Sequence, residues 1–179
     1  SGSNAENICN YFAESSDIEV VLICTNKRDA FIVKRANKLN IPVYIFTKYE
    51  LNNFVDLHKK LQSNGVDIVI LAGFLLKIPT IMVDSYPNRI INIHPSLLPK
   101  YGGKGMYGSN IHKSVIENKE TESGISVHFV NQNYDEGKII LQEKCDVSNN
   151  ETVETLIQKI HKLEHNYFPA AIEETLKAL

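Results

Sequence analysis

Apolar and polar positions alternate in blocks along the first half of the chain. Ala5 to Ala13 carries helical spacing, and Ile18 to Cys24 is a continuous apolar run of strand length. Asp29 to Leu39 sets Ala30, Val33 and Ala36 on one face with positive charges between them, which predicts a helix; Val43 to Phe46 predicts a short strand after Pro42. Leu51, Phe54, Val55, His58 and Leu61 fall on one helical stripe, predicting a single helix closed by Asn64-Gly65. Asp67 to Leu71 reads as a buried strand, Pro79 to Ser85 as a short helix opened by its proline, and Arg89 to Ile93 as a further apolar strand. Strands that are apolar on both faces and alternate with helices predict a parallel sheet covered on both sides, the doubly wound α/β architecture. Such sheets bind ligands beyond the carboxyl ends of their strands, so the loops after Leu71 and after Ile93 are where chemistry is expected.

The second half has a different rhythm. Ser109 to Asn118 predicts a helix; Gly124 to Val130 and Lys138 to Val147 predict two strands joined by Asn131 to Gly137, a loop of near-hairpin length. Antiparallel strands at the edge of a mainly parallel sheet are therefore expected. Glu151 to Leu179 predicts a helix started near Thr152 or Glu154 and interrupted near Pro169. No repeat or linker breaks the chain, and its 179 residues match one domain at roughly 100 to 200 residues per domain.

Composition narrows the function classes. With 43% hydrophobic and 22% charged residues the chain is of globular type. The longest apolar run, Ile68 to Leu76, is far short of the about 20 residues of a membrane-spanning helix, and no signal-peptide pattern shows at the start. Nineteen Lys and Arg against 21 Asp and Glu give a net charge of −2 with no basic run, so neither nucleic acid nor membrane is an expected partner. Cys9, Cys24 and Cys145 lack metal-ligand spacing and read as free thiols of a reducing, cytoplasmic compartment. His112, His161 and His165 have no metal-ligand spacing with Cys or Asp, and no metal is expected; His128 reads as a packed or hydrogen-bonded histidine.

The most informative segment runs from Ile90 to Tyr101 (Ile-Ile-Asn-Ile-His-Pro-Ser-Leu-Leu-Pro-Lys-Tyr). Strand alternation sends Asn92 and His94 to one face, and Pro95 ends the strand just after them. An amide and an imidazole thus share the strand's carboxyl end. By spacing alone the pair serves either a reaction or the neighbouring backbone groups. Asp135, two residues before Gly137, reads on its own as a turn residue.

Taken together, Asn92-x-His94-Pro-Ser-Leu-Leu-Pro, Gly124-Ile-Ser-Val-His-Phe-Val130 and Asp135-Glu-Gly-Lys-Ile-Ile140 closely resemble the folate-dependent formyltransferases, over essentially the whole chain. The resemblance implies a Rossmann-like formyltransferase fold and transfer of a formyl group from 10-formyltetrahydrofolate, a co-substrate, to the amine of a glycinamide ribonucleotide in purine synthesis. It implies a catalytic trio of Asn92, His94 and Asp135. Asn92 would donate a hydrogen bond to the formyl oxygen, and a protonated His94, favoured by the charge of Asp135, would stabilise that oxygen and give up its proton. The ribonucleotide would meet Gly2, Ser3 and Asn4 at the mouth of the first helix, with a cloning remnant as the competing reading, and Glu164. The folate would meet Leu75, Leu76, Lys77 and Ile78, together with Asn92, Asn131, Gln132, Asn133, Tyr134 and Asp135. Leu76-Lys77 stands where an Arg-Ile pair is frequent in the family.

Lys100 to Asn110 is glycine-rich and reads either as a loop that closes over the site or as an ordinary surface loop. Other readings are a methionyl-tRNA formyltransferase, a formyltetrahydrofolate deformylase, or a nucleotide-binding domain without chemistry. The first resembles a longer chain with a tRNA-binding domain, and the second carries His-Ser-Phe-Leu-Pro where Pro95-Ser96-Leu97-Leu98 stands here. Retention of Asn92, His94 and Asp135 speaks against the third. The resemblance also places a strand immediately before Ser1, so a single domain over residues 1–179 that lacks its first strand is expected, acting as a monomer or homodimer.

Overall fold

A computed structural model describes residues 2–179. The chain forms two compact units, residues 1–90 and residues 91–179.

The first unit contains α1 (Ser3–Tyr11), β1 (Ile23–Thr25), α2 (Phe31–Lys38), β2 (Val43–Ile45), α3 (Lys48–Asn53), α4 (Val55–Ser63), β3 (Val69–Leu71) and α5 (Thr80–Ser85). β1 and β2 pair in parallel, with Ile23 opposite Val43 and Thr25 opposite Ile45. Cys9, Ile23, Ile32 and Ala36 form their shared core, with Val20, Leu39 and Val43 packed against it. The apolar run from Ile18 to Cys24 thus becomes strand only where β2 supplies ladder partners, from Ile23 onward. β3 is half-buried along its length, not buried as its composition predicts, because burial depends on what packs against each face and not on apolarity alone.

The predicted helix over residues 51–61 is instead two helices broken at Phe54, which takes the left-handed conformation (φ 57°). Thr47 starts the first by a capping box with Glu50. Phe54 is 2% exposed, and its ring stacks on His58 and meets Tyr86 edge-on. Ring burial of this size outweighs the about 1–2 kcal/mol that a left-handed residue costs.

The second unit contains most of β4 (Ile90–His94), then α6 (Ser109–Glu117), β5 (Glu122–Phe129), β6 (Ile139–Asp146) and α7 (Val153–Lys177). β4 ends at His94, as Pro95 requires. β5 pairs antiparallel with β4 on one side and with β6 on the other, as expected of the second half. α7 packs on β5, β6 and α6. Thr152 caps it, its Oγ1 accepting from the Thr155 N–H at 3.2 Å. The helix is not interrupted at Pro169: it runs through, with Phe168, Ala171 and Ile172 buried on both sides of the proline. The one main-chain hydrogen bond that Pro169 forfeits is a local loss against a continuous buried stripe. Among the described residues no helix is long and apolar enough to cross a membrane.

His112 of α6 lies among Ile111 and Val115, is 5% exposed, and its Nδ1 has no hydrogen-bond partner among the described residues. Burial pushes its pKa down to about 4, helped by the charges of His161 and His94. The unfolded chain therefore binds a proton between about pH 6.5 and 4 that the native chain refuses, and stability falls as pH drops through that window. The slope contributed by His112 is at most about 1.4 kcal/mol per pH unit. His112→Leu should flatten the acid side of the stability profile, read from denaturant unfolding midpoints at stepped pH.

Candidate active site

The β4–β5 register builds the site. Asn92 stands opposite His128 and His94 opposite Ser126. Opposed residues of an antiparallel pair share a face, so all four polar side chains project to the same side, while Ile91, Ile93, Ile125 and Val127 project to the other. Those four aliphatic residues are each at most 6% exposed.

His94 is buried, and its Nε2 lies 2.8 Å from the carbonyl oxygen of Tyr101. A carbonyl only accepts, so Nε2 carries the hydrogen and the other nitrogen, Nδ1, is left for chemistry. That Nδ1 faces Asp135 Oδ2 at 3.6 Å. The second carboxylate oxygen, Oδ1, is 3.8 Å from His128 Nε2. Asp135 thus stands between two imidazoles at ion-pair range, its side chain 13% exposed.

The two imidazoles differ. His128 gives its Nδ1–H to the Phe129 carbonyl at 2.9 Å, and its Nε2 lies 3.1 Å from Asn92 Nδ2. Burial is the largest influence on His128 and holds its pKa below the usual value, against the opposing pull of the Phe129 carbonyl and Asp135. Neutral His128 has a lone pair at Nε2, which accepts one N–H of the Asn92 amide. The amide is thereby oriented through one of its two N–H groups. His94 is the imidazole that sets Nε2 on a main-chain carbonyl and Nδ1 facing the carboxylate.

Asp135 is held in place by the loops around it. Its backbone is left-handed (φ 56°), and its Oδ2 accepts the Gly103 N–H at 2.8 Å. A side chain at Gly137 would set a Cβ 1.6 Å from the Phe129 carbonyl oxygen, so only glycine lets this turn close against β5. The glycine-rich segment after Lys100 therefore reaches the site directly through Gly103. Behind His94, the hydroxyl of Ser126, which is fully buried, donates to the Ser96 carbonyl at 2.7 Å and accepts from Leu98 N–H at 2.9 Å and Gln142 Nε2 at 2.8 Å. This network fixes the turn that leaves β4.

Asn92, His94 and Asp135 are thus brought together. Asn131, Gln132, Asn133 and Tyr134 lie exposed on the loop that leads to Asp135, with Asn133 N–H held by Asn131 Oδ1 at 2.9 Å. Glu164 lies on α7 and is 8% exposed, not on a solvated helix face. The other expected residues lie in the first unit. Gly2 caps α1 in the left-handed conformation (φ 73°), and a Cβ there would come within 2.7 Å of Ile32 Cβ; Ser3 and Asn4 form the first turn. Leu75 and Lys77 are exposed and Leu76 half-buried, whereas Ile78 is 6% exposed, so its side chain belongs to the core.

Sequence reasoning missed two residues of the site: His128 as the partner of Asn92, and Tyr101 as the partner of His94. A signal existed for the first. Ser126-x-His128 repeats the polar alternation of Asn92-x-His94 within an otherwise apolar strand.

The formyl transferase family matches residues 1–172, and the chain belongs to that family. Among its relatives, the chloroplastic phosphoribosylglycinamide formyltransferase of Arabidopsis thaliana is 41% identical over 171 residues, covering 89% of this chain and 58% of that protein. The phosphoribosylglycinamide formyltransferase of Bacillus subtilis is 33% identical over 98% of this chain and 90% of its own length. The crystal structure of phosphoribosylglycinamide formyltransferase from Bacillus halodurans superposes with a TM-score of 0.89 at 31% identity, covering 98% of this chain and 91% of that one. The chain spans about half the length of the plant relatives it matches. The α/β formyltransferase fold expected from the sequence is the fold that this likeness carries, with antiparallel β5 and β6 in its second half.

Ser126→Ala would strip the buried Leu98 N–H and Ser96 carbonyl of their partner. It should cost about 1–3 kcal/mol of unfolding free energy, measured by denaturant titration.

Proposed function

We propose that this chain is a phosphoribosylglycinamide formyltransferase, moving the formyl group of 10-formyltetrahydrofolate onto the amine of glycinamide ribonucleotide in purine synthesis. The observation that carries the reading is the grouping of Asn92, His94 and Asp135, with the amide oriented by His128 and the imidazole facing the carboxylate, in a member of the formyl transferase family. As the amine adds to the formyl carbon, negative charge grows on the formyl oxygen and positive charge on the nitrogen. The second N–H of Asn92 and a protonated His94 answer the first charge. Asp135 supports the imidazolium, and Nδ1 of His94 is the atom at which a proton is held or released.

The ribonucleotide is assigned to Gly2, Ser3, Asn4 and Glu164. The left-handed Gly2 cap presents the first main-chain N–H groups of α1, which suit a phosphate, and the burial of Glu164 suits a carboxylate held for a cationic amine. The folate is assigned to Leu75, Leu76, Lys77 and Ile78, and to Asn92 with residues 131–135. The exposed apolar side chains of Leu75 and Tyr134 fit a flat ring system, and Ile78 would contribute through its main chain. We assign the whole of residues 1–179 to one formyltransferase domain, a reading supported by the family match over residues 1–172. The free thiols of Cys9, Cys24 and Cys145 support a reducing, cytoplasmic setting, and a monomer or homodimer is the assembly proposed.

The test follows tetrahydrofolate release from 10-formyltetrahydrofolate with glycinamide ribonucleotide, charged initiator tRNA or water as the sole acceptor. Release that depends on the ribonucleotide supports the reading, and release without it sinks it. Asn92→Ala should lower kcat by ~10²–10³, the usual loss for one oxyanion donor. Asp135→Asn should lower kcat far more than it weakens ribonucleotide binding measured by calorimetry; equal losses would make Asp135 a structural residue.

A further inference from the structure

Tyr101 follows β4 by seven residues and holds a left-handed backbone (φ 56°), a conformation that a bulky L residue disfavours. The carbonyl that engages His94 Nε2 belongs to this residue. Its side chain is anchored on two groups. The Tyr101 hydroxyl donates to Glu120 Oε1 at 2.9 Å and accepts from Asn118 Nδ2 at 2.9 Å. Lys100 Nζ reaches both oxygens of the same carboxylate, at 3.1 and 3.0 Å. These contacts, led by Lys100 and then the Tyr101 hydroxyl, hold the Glu120 carboxyl below the usual range, which keeps it the pure acceptor that a phenol O–H needs. On the inner side, Ser96 Oγ donates to the Lys100 carbonyl at 2.7 Å.

We propose that Tyr101 is a positioning residue: clamped at its hydroxyl by Glu120 and Asn118, it holds its own carbonyl against His94 Nε2 and so fixes His94 as the tautomer whose free nitrogen, Nδ1, faces Asp135. What that nitrogen does in the reaction rests on the proposed function, but the tautomer does not. With the clamp gone, the backbone at residue 101 relaxes toward ordinary φ, the peptide plane turns, and the Nε2–H of a buried ring loses its acceptor. The ring then gains by moving its hydrogen to Nδ1, where the Asp135 carboxylate accepts it. That tautomer has its lone pair on the wrong side for exchanging a proton beside Asp135. The clamp lies outside the reacting groups, at the junction of the segment leaving β4 with the end of α6, so its loss acts on catalysis only through the orientation of His94.

The experiment labels histidine side chains with 15N and reads the His94 tautomer by long-range proton–nitrogen correlation at a pH where the ring is neutral. It compares the wild type with Tyr101→Phe, Glu120→Leu and Glu120→Gln, alongside steady-state kinetics. The wild type should show the Nε2–H form. Tyr101→Phe and Glu120→Leu, which break the clamp from opposite ends, should each shift His94 toward the Nδ1–H form. Both should lower kcat about tenfold with KM little changed, short of the ~10²-fold cost of a full 1 Å misplacement. Glu120→Gln keeps an acceptor oxygen for the hydroxyl and should retain the wild-type tautomer and kcat. An unchanged tautomer in both clamp-breaking variants overturns the proposal, whether or not kcat falls, because a fall alone would mark general structural support. If the wild type transfers no formyl group to the ribonucleotide, the proposed function fails while the tautomer measurement still decides the clamp.

Discussion

The antiparallel register of β4 on β5 is the constraint on which the rest of the site depends. Setting Asn92 opposite His128 and His94 opposite Ser126 puts four polar side chains on one face of a ladder whose other face is aliphatic and buried. A slip of one residue would turn the same groups into the apolar side and bring the isoleucines out, so the hydrophobic core itself enforces the alignment of these four side chains. Stability and chemistry are thus specified by the same pairing.

Around that ladder the chain divides labour between two histidines of the same type. His128 is kept neutral by burial and used as a fixed acceptor, which turns the Asn92 amide into an oriented donor. His94, with one nitrogen committed to a main-chain carbonyl, keeps the other beside a carboxylate. Two equivalent histidines next to one aspartate would compete for its charge. Different partners give the two different parts: the Asn92 amide lies at His128 Nε2, and the Asp135 carboxylate lies beside His94 Nδ1.

The supports of Asp135, His94 and His128 are mostly backbone groups: the Gly103 N–H for the first, the Tyr101 and Phe129 carbonyls for the two histidines, and a turn that closes because Gly137 has no side chain. The buried Ser126 hydroxyl, with its donor and both acceptor sites used, joins the exposed Gln142 in a polar network that ties β5 and β6 to the turn after His94. A buried hydroxyl satisfied in this way rigidifies its surroundings, which is what a site requiring sub-ångström placement needs.

By itself the sequence determined the alternation of helices and strands, the end of β4 at Pro95, the antiparallel character of the second half, and the identity of Asn92, His94 and Asp135 as the residues worth watching. The first three follow from local physics, from periodicity and the missing N–H of proline, and the trio from the resemblance of a specific string of residues to a known family. Tertiary structure decided what depends on partners distant in the chain. Phe54 breaks a well-patterned helix because its ring finds a buried seat against Tyr86, and Pro169 fails to break one because the packing on both sides holds it. His128 and Tyr101 become site residues only once β5 lies on β4 and the segment after Pro99 folds back. A hydrogen bond across 36 residues, as from Asn92 to His128, or across a seven-residue turn, as from His94 to Tyr101, leaves no trace in local propensity, and only the folded chain assigns it.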